Sequence, residues 1–287
     1  MKTDLKAIIF ATLLATGCGE STIVPPPEPE SETEIQELNY GTPETLEVLT
    51  WNLQTFPKHE DTIPYLSQII PNLDIDIIAL QEIRSSFQTL LDNLPNYQGF
   101  KSNSASYDYD LAFLYNPETI TINNSYEIFQ NNWYAFPRPP LILEIEYDST
   151  QITIINNHFK CCGGEDNEER RTQASNLLED YIEENLSEKN VIVLGDLNDE
   201  LGFFQNFVNS PLEYKFTDYE ISLDQTQWSY PRYPSHIDHI LITDELFQNE
   251  QETKTLKIED LLTNSWSEYY TTLSDHRPVV IKLDFSN

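Results

Sequence analysis

Val191-Ile192-Val193-Leu194-Gly195-Asp196-Leu197-Asn198 is the stretch on which the fold turns. Its first four residues have the length and β-branched, apolar character of a buried strand. A glycine, a carboxylate and an amide follow almost at once. A strand that ends this way presents functional groups on a loop held by a rigid sheet. One Asp after one strand is ordinarily only a turn residue. The reading therefore depends on whether other strands end alike.

They do. Apolar or β-branched runs of strand length also lie at 46–51, 75–80, 111–115, 141–147, 152–156, 237–242 and 278–283. Trp51-Asn52 closes the first, Gln81-Glu82 the second, and Asn156-Asn157-His158 the run at 152–156. Asp238-His239 opens another, and Ser274-Asp275-His276 precedes the last. Helical spacing appears at 63–70, 85–94 and 168–186. In the last of these, Leu177, Leu178, Tyr181, Ile182 and Leu186 share a face, with acidic residues opposite. Strands with helices between them predict an α/β sandwich rather than a bundle.

The groups at the strand ends suit one chemistry. Carboxylate and amide oxygens match a hard cation such as Mg²⁺ or Mn²⁺. Histidines beside carboxylates match proton transfer at neutral pH. Together they fit hydrolysis of a phosphoester. No Gly-rich phosphate loop and no serine nucleophile motif is evident.

Composition narrows the setting. The 287 residues carry 16 basic against 48 acidic residues, a net charge of −32. Such a balance disfavours tight, non-specific duplex DNA binding, which rests on many Lys and Arg contacts to phosphates. The chain opens with Lys2 and Lys6, an apolar stretch at 7–15, and Gly17-Cys18. That layout predicts a signal peptide over 1–17, its apolar run too short to span a membrane. A small residue before a cysteine resembles the cleavage pattern of bacterial lipoproteins, which implies lipid attachment at Cys18 and a place on the cell envelope or outer surface. Residues 18–41, rich in Pro, Glu, Ser and Thr, read as an acidic tether. The folded domain is expected over 42–287. The other cysteines, Cys161 and Cys162, are adjacent and form no zinc pattern.

In their order along the chain, Thr50-Trp51-Asn52-Leu53, Leu80-Gln81-Glu82, Asn157-His158, Gly195-Asp196-Leu197-Asn198, Ile237-Asp238-His239 and Ser274-Asp275-His276-Arg277-Pro278 resemble the endonuclease/exonuclease/phosphatase superfamily. The resemblance spans about 46–283. It implies a four-layered α/β sandwich, with two mixed β-sheets face to face and helices outside. It also implies a metal-dependent phosphoester hydrolase acting as a monomer. Glu82 would be the main metal ligand, with Asn52 and Asp275 helping to hold the site. His276 would activate water, and Asp238 would orient its imidazole. Asp196 and Asn198 would position water and phosphate, and His158 would donate to the developing charge. Arg138 would steer phosphate or brace the site, and Arg84 is similar to the arginine that deoxyribonucleases place in the minor groove. Gln54 and His158 depart from the apurinic endonucleases, which carry an acidic residue and a tyrosine there. His239 reads as a supporting residue, and His59 and His236 as surface or internally satisfied histidines.

Three functions remain open at this stage. They are a phosphodiesterase or endonuclease of extracellular DNA or RNA, an esterase of small or lipid phosphoesters (sphingomyelinase-like or inositol-phosphate-like), and a non-catalytic binding module. The filled acid, base and ligand positions disfavour the third.

Overall fold

The computed structural model describes residues 39–211 and 213–286. The expected signal peptide, Cys18 and the tether up to residue 38 lie outside the described residues. Of the tether's last residues, Tyr40 and Gly41 donate their N–H groups to Leu73 O at 3.2 and 3.0 Å. Among the described residues no helix is long and apolar enough to cross a membrane.

Twelve strands are described, in two sheets. They are β1 (Thr45–Phe56), β2 (Ile77–Ile83), β3 (Gln98–Lys101), β4 (Asp110–Tyr115), β5 (Thr121–Glu127), β6 (Leu141–Tyr147), β7 (Thr150–His158), β8 (Asn190–Asp196), β9 (Tyr214–Phe216), β10 (Asp238–Thr243), β11 (Glu250–Thr255) and β12 (Val279–Asp284). The helices are α1 (Thr62–Leu73), α2 (Phe87–Asp92), α3 (Glu165–Asn185), α4 (Gln205–Val208), α5 (Tyr219–Ser222) and α6 (Ser265–Thr272). One sheet has the order β11-β12-β1-β2-β4-β3 and the other β5-β6-β7-β8-β10-β9. Each is antiparallel apart from one central parallel pair, β1 with β2 and β7 with β8. A parallel pair needs a crossover, and α1 and α3 supply the two.

Alternation along the strands builds the layers. On β1, Leu46 and Val48 enter the core between the sheets, while Leu49, Trp51 and Leu53 enter a second core beneath α1, α2 and α6. On β7 and β8, Ile152, Ile154, Ile192 and Leu194 face the first sheet. Ile155, Val191 and Val193 turn to a third core, where α3 adds Ala174, Leu178 and Ile182. The result is helices, sheet, sheet, helices, as expected for the sandwich. Each such aliphatic side chain gains about 1.5–3 kcal/mol on burial.

The eight strands read from sequence are all present. Four more, β3, β5, β9 and β11, escaped that reading, and they are the two edges of each sheet. Helix α3 begins at Glu165, three residues before the predicted start, with Glu165, Asp166 and Glu168 in its first turn. Acidic groups there are favoured by the helix dipole. Gly195 sits at φ 134°, and a Cβ on it would lie 2.0 Å from Asn157 O. Glycine is therefore what lets β8 run against β7 immediately before Asp196.

Candidate active site

The face of each central strand that looks between the sheets changes from apolar to polar at one end. On β1 the sequence of inward residues is Leu46, Val48, Thr50, Asn52. On β7 it is Ile152, Ile154, Asn156, His158, and on β8 Ile192, Leu194, Asp196. Antiparallel β10 runs the other way, so Asp238 stands at its start, paired with Asp196. Asp275 and His276 arrive just before β12. The polar ends converge because β7 and β8 are parallel and in register, with His158 opposite Asp196.

Just beneath them the two sheets are tied by a buried polar bridge. Gln81 Nε2 donates to Thr50 Oγ1 at 3.0 Å and to Asn156 Oδ1 at 2.8 Å. Asn156 Nδ2 donates to Leu80 O and Ala112 O across the interface. These donated hydrogen bonds tie β1 and β2 to β7 under the site, although Gln81 Oε1 itself has no partner among the described residues.

Above that bridge, Asn52 Nδ2 donates to Asp196 Oδ2 at 2.9 Å and to Glu82 Oε1 at 3.3 Å. Glu82 Oε2 accepts Thr55 N–H at 2.8 Å. Gln54 donates its N–H to Asn52 Oδ1 at 2.9 Å and its side-chain Nε2 to Asp275 Oδ2 at 2.7 Å. His276 Nδ1 lies 2.8 Å from Asp238 Oδ2, while its Nε2 is 3.9 Å from both Asp196 Oδ2 and Asp275 Oδ1. Opposite, His158 Nε2 is 3.4 Å from Asp196 Oδ2 and 4.0 Å from Glu82 Oε1. The backbone of His276 is fixed by Ser274 Oγ, which accepts its N–H at 3.0 Å, and by Trp51 and Tyr269, which donate to its carbonyl. Gln54, Thr55, Glu82 and Asn198 all have positive φ, from 40° to 60°. Strained backbone of this kind gathers at functional sites.

The electrostatics are those of a negative cluster short of positive charge. Burial raises the Asp196 carboxyl to about 7, the pull of His276 notwithstanding, and Asp238 and Glu82 add to the rise. Burial would lower His276, yet Asp238, Asp196 and Asp275 outweigh it and hold the imidazole at about 10. His158 goes the other way. Burial, then Arg138 and His276, push it well below its ordinary value, so it is a neutral imidazole. Ligand atoms of Asp196, Asp238 and His276 lie within 4.8 Å of one another; Asp275 is 3.9 Å from His276, and Glu82 shares the Asn52 amide with Asp196. Oxygen-rich and under-neutralised, this set fits a hard divalent cation.

The remaining expected residues divide. Asn198 donates its N–H to Asp196 Oδ1 at 3.0 Å and its side chain to Phe159 O. Arg138 Nη2 donates to the same Phe159 O at 2.7 Å. It therefore braces the loop after His158 from behind. Asn52, expected to help hold the metal site, lies within the cluster: its oxygen accepts Gln54 N–H and its amide nitrogen links Asp196 to Glu82. Arg84 makes no bond to the cluster. It is exposed, lies over the ring of Tyr109 and lines a cleft of about 590 Å³ with Ser85, Lys101 and Thr55, the last of which bonds Glu82. His236 and His239 both bond Asp218 Oδ2, at 2.8 and 2.6 Å, and His239 also contacts Asp199 O. That network is satisfied internally. His59 is exposed beside Asp61. Cys161 and Cys162 follow His158 with their Sγ atoms 2.8 Å apart.

Sequence reasoning named Gln54, Thr50 and Asn156 but gave them no role in holding the site, and it did not single out Ser229 or Tyr230. Strand alternation could have found Thr50 and Asn156, each two residues before Asn52 and His158. No local signal marks Ser229, whose Oγ accepts Asp238 N–H, or Tyr230, whose ring lies 4.5 Å from that of His276.

Three similar solved structures are the D. rerio TDP2 complexed with single strand DNA product (TM-score 0.68, 14% identity, 84% of this chain and 99% of that one), the human Nocturnin catalytic domain with bound sulfate (0.65, 21%, 85% and 95%) and the Bacteroides thetaiotaomicron mannosyl-6-phosphatase (0.64, 20%, 84% and 100%). At these identities they establish the fold. A search of curated protein sequences finds no significant match. The Endonuclease/Exonuclease/phosphatase family matches residues 49–276, a span that contains every polar strand end described above. The chain therefore belongs to the endonuclease/exonuclease/phosphatase family of phosphoester hydrolases.

Proposed function

We propose that the protein is a Mg²⁺- or Mn²⁺-dependent phosphodiesterase that cleaves nucleic acid outside the cytoplasm. The observation that carries the reading is the convergence of His276 and His158, from opposite sides, on one oxygen of Asp196. Glu82 and Asp275 would hold the cation, steadied by Asn52, Thr55 and Gln54. Bound there, it would polarise a phosphoryl oxygen as a Lewis acid and offset the clustered carboxylates.

The chain's own residues supply the rest. Asp238 accepts Nδ1–H of His276, which leaves Nε2 as the nitrogen that takes a proton from the attacking water. The same carboxylate stabilises the imidazolium that results. His276 is held at about 10 while the carboxylates lack a counter-ion. A cation among them moves the imidazole back towards neutral values, where a general base works best. Neutral His158 donates its Nε2–H to charge developing on the phosphate. Asp196 and Asn198 align water and phosphate between the two imidazoles.

The nucleic-acid reading is supported by a neighbour of the same fold solved with a single strand DNA product. The net charge of −32 favours single strands or ends over duplex. Cleavage before Cys18, lipidation there and a tether would place the domain on the cell surface, and these rest on the sequence. One experiment tests the function. The purified protein is assayed on plasmid DNA, single-stranded DNA, RNA, bis-p-nitrophenyl phosphate, p-nitrophenyl phosphate and sphingomyelin, with and without Mg²⁺. Mg²⁺-dependent cleavage of the strands and the diester is expected. Turnover confined to p-nitrophenyl phosphate or sphingomyelin would replace this reading with one of small or lipid phosphoesters.

A further inference from the structure

Two cations of this acidic chain stand together on one side of the site. Lys58 Nζ is 4.3 Å from the centroid of the Tyr270 ring, and Arg232 Cζ is 4.5 Å from the same centroid. Among the described residues neither has a carboxylate oxygen within 4.0 Å. Lys58 donates instead to neutral oxygens, Gln54 Oε1 and Tyr270 O. Burial holds its ammonium below the ordinary value. Asp275 and Glu82 pull it up, and Arg232 pushes it further down. Of the twelve other described Lys and Arg residues, six have a carboxylate partner and six, Arg84, Arg138, Lys160, Arg170, Lys189 and Lys257, have none within 4.0 Å, but none of those six shares a ring with a second cation. Lys101, Arg171, Lys215, Lys254, Arg277 and Lys282 each have a carboxylate.

The pair is contiguous with the acidic cluster. Gln54, which accepts from Lys58, donates to Asp275. Arg232 is exposed on a short loop closed by a bridge between Tyr230 and Ser235. Pro231 and Pro234 restrict that loop. Its base is fixed by Tyr230 against His276 and by Ser229 on Asp238 N–H. Arg232 is thus positioned relative to the base before any ligand arrives, and preorganisation of this kind saves ordering entropy. Two like charges on one ring, without a carboxylate at either, repel until an anion joins them. An ammonium and a guanidinium fork together match a tetrahedral oxyanion. The scissile phosphate belongs to His158 and His276, so the pair is left for another one.

We propose that Lys58, Tyr270 and Arg232 form a subsite for a second phosphate group of the substrate, next to the one that is cleaved. The inference deepens the phosphodiesterase reading and rests on it. The second phosphate is either the next diester of a strand or a terminal monoester.

Both sources can be tested on the full chain with Mg²⁺. Turnover is compared for TpT, which has a single phosphate, for pTpT and TpTp, which add a terminal monoester at either end, and for TpTpT, which adds a diester. At least one addition should raise kcat/KM about tenfold through KM, the equivalent of about 1.4 kcal/mol from one charge-assisted contact. Arg232→Gln should bring the ratio to about one, whereas Lys254→Gln, on the β11 edge, should leave it unchanged. A gain with TpTpT alone assigns a strand, and a gain with pTpT or TpTp alone assigns an end. Calorimetry supplies a readout that needs no turnover. Thymidine 3′,5′-bisphosphate should bind about tenfold more tightly than either monophosphate, and Arg232→Gln should abolish the difference. That binding pattern without hydrolysis of any dinucleotide would sink the reaction and keep the subsite. Equal affinities for bisphosphate and monophosphates, or a preference that survives Arg232→Gln, overturn the subsite whatever the turnover.

Discussion

Asp238→Asn removes one charge and almost no bulk from a residue with no exposed surface. In the native protein its Oδ2 takes Nδ1–H of His276 at 2.8 Å, and its Oδ1 has no partner among the described residues. The introduced amide has two choices. Its oxygen can accept from Nδ1, which keeps the tautomer but loses the charge that stabilises the imidazolium. Alternatively its NH₂ donates to Nδ1, which places the ring proton on Nε2 and leaves no base. A buried hydrogen bond to a charged group contributes about 1.5–3 kcal/mol. At about 1.4 kcal/mol per factor of ten, kcat should fall roughly 10- to 150-fold. KM should change little, because Asp238 is fully buried. The assay is Mg²⁺-dependent hydrolysis of bis-p-nitrophenyl phosphate, with stability followed by thermal melting. In parallel, an NMR titration of the metal-free protein should find the His276 ring well below its native value of about 10, since Asp238 leads the groups that raise it. Native-like kcat in Asp238→Asn, beside a His276→Ala variant that has lost at least about 10²-fold, would refute the orienting role. An unmoved His276 titration would refute its electrostatic basis.

Other consequences can be checked independently. Glu82→Gln should reduce turnover by orders of magnitude with the melting temperature little changed, and EDTA should abolish activity that Mg²⁺ or Mn²⁺ restores; full activity in excess chelator contradicts the metal-dependent reading. Cys18→Ser should release the protein from the membrane fraction, and unchanged fractionation would exclude lipidation there. Glu47 gives a pH effect on stability. Burial holds its carboxyl at about 7 against a hydrogen bond from Thr45, with Asp76 adding to the rise, whereas the free value is 4.5. The folded state therefore binds this proton more tightly than the unfolded one. The cost is absent below about pH 4.5, grows as pH rises and levels off above about 7, at on the order of 1–3 kcal/mol. Glu47→Gln should thus raise the melting temperature at pH 8 and hardly at pH 4, and an equal shift at both would show that the charge is not the cause.

The central strands were legible because each is buried by its own residues. In β1, β7 and β8 apolar side chains fill cores on both faces, so a run such as Val191 to Leu194 announces itself without knowledge of its partners. The same alternation carries the site, since a polar residue in step with an inward apolar series must face the same space. That is why Asn52, His158, Asp196 and Asp238 could be picked out, along with the crossover helix α3 and its apolar face. Even the family was readable, from the order of short motifs that the fold later joins.

What only the tertiary structure decided is long-range. Strands β3, β5, β9 and β11 lie at sheet edges, and Thr121–Glu127 is largely polar and exposed. Such segments are extended because an inner neighbour offers backbone partners, and nothing in their own side chains records that neighbour. The same limit hid the roles of Gln54, Gln81 and Ser229. Each is a small polar residue whose task is set by a hydrogen bond to something distant in sequence, Asp275 for Gln54 and Asn156 for Gln81. It set Arg84 apart from the cluster, although it stands two positions from Glu82: Glu82 bonds Asn52 and Thr55, whereas Arg84 lies over the ring of Tyr109. Periodicity reports how a residue faces its own element. Which elements meet, and therefore which polar groups share one space, depends on pairing across the whole chain.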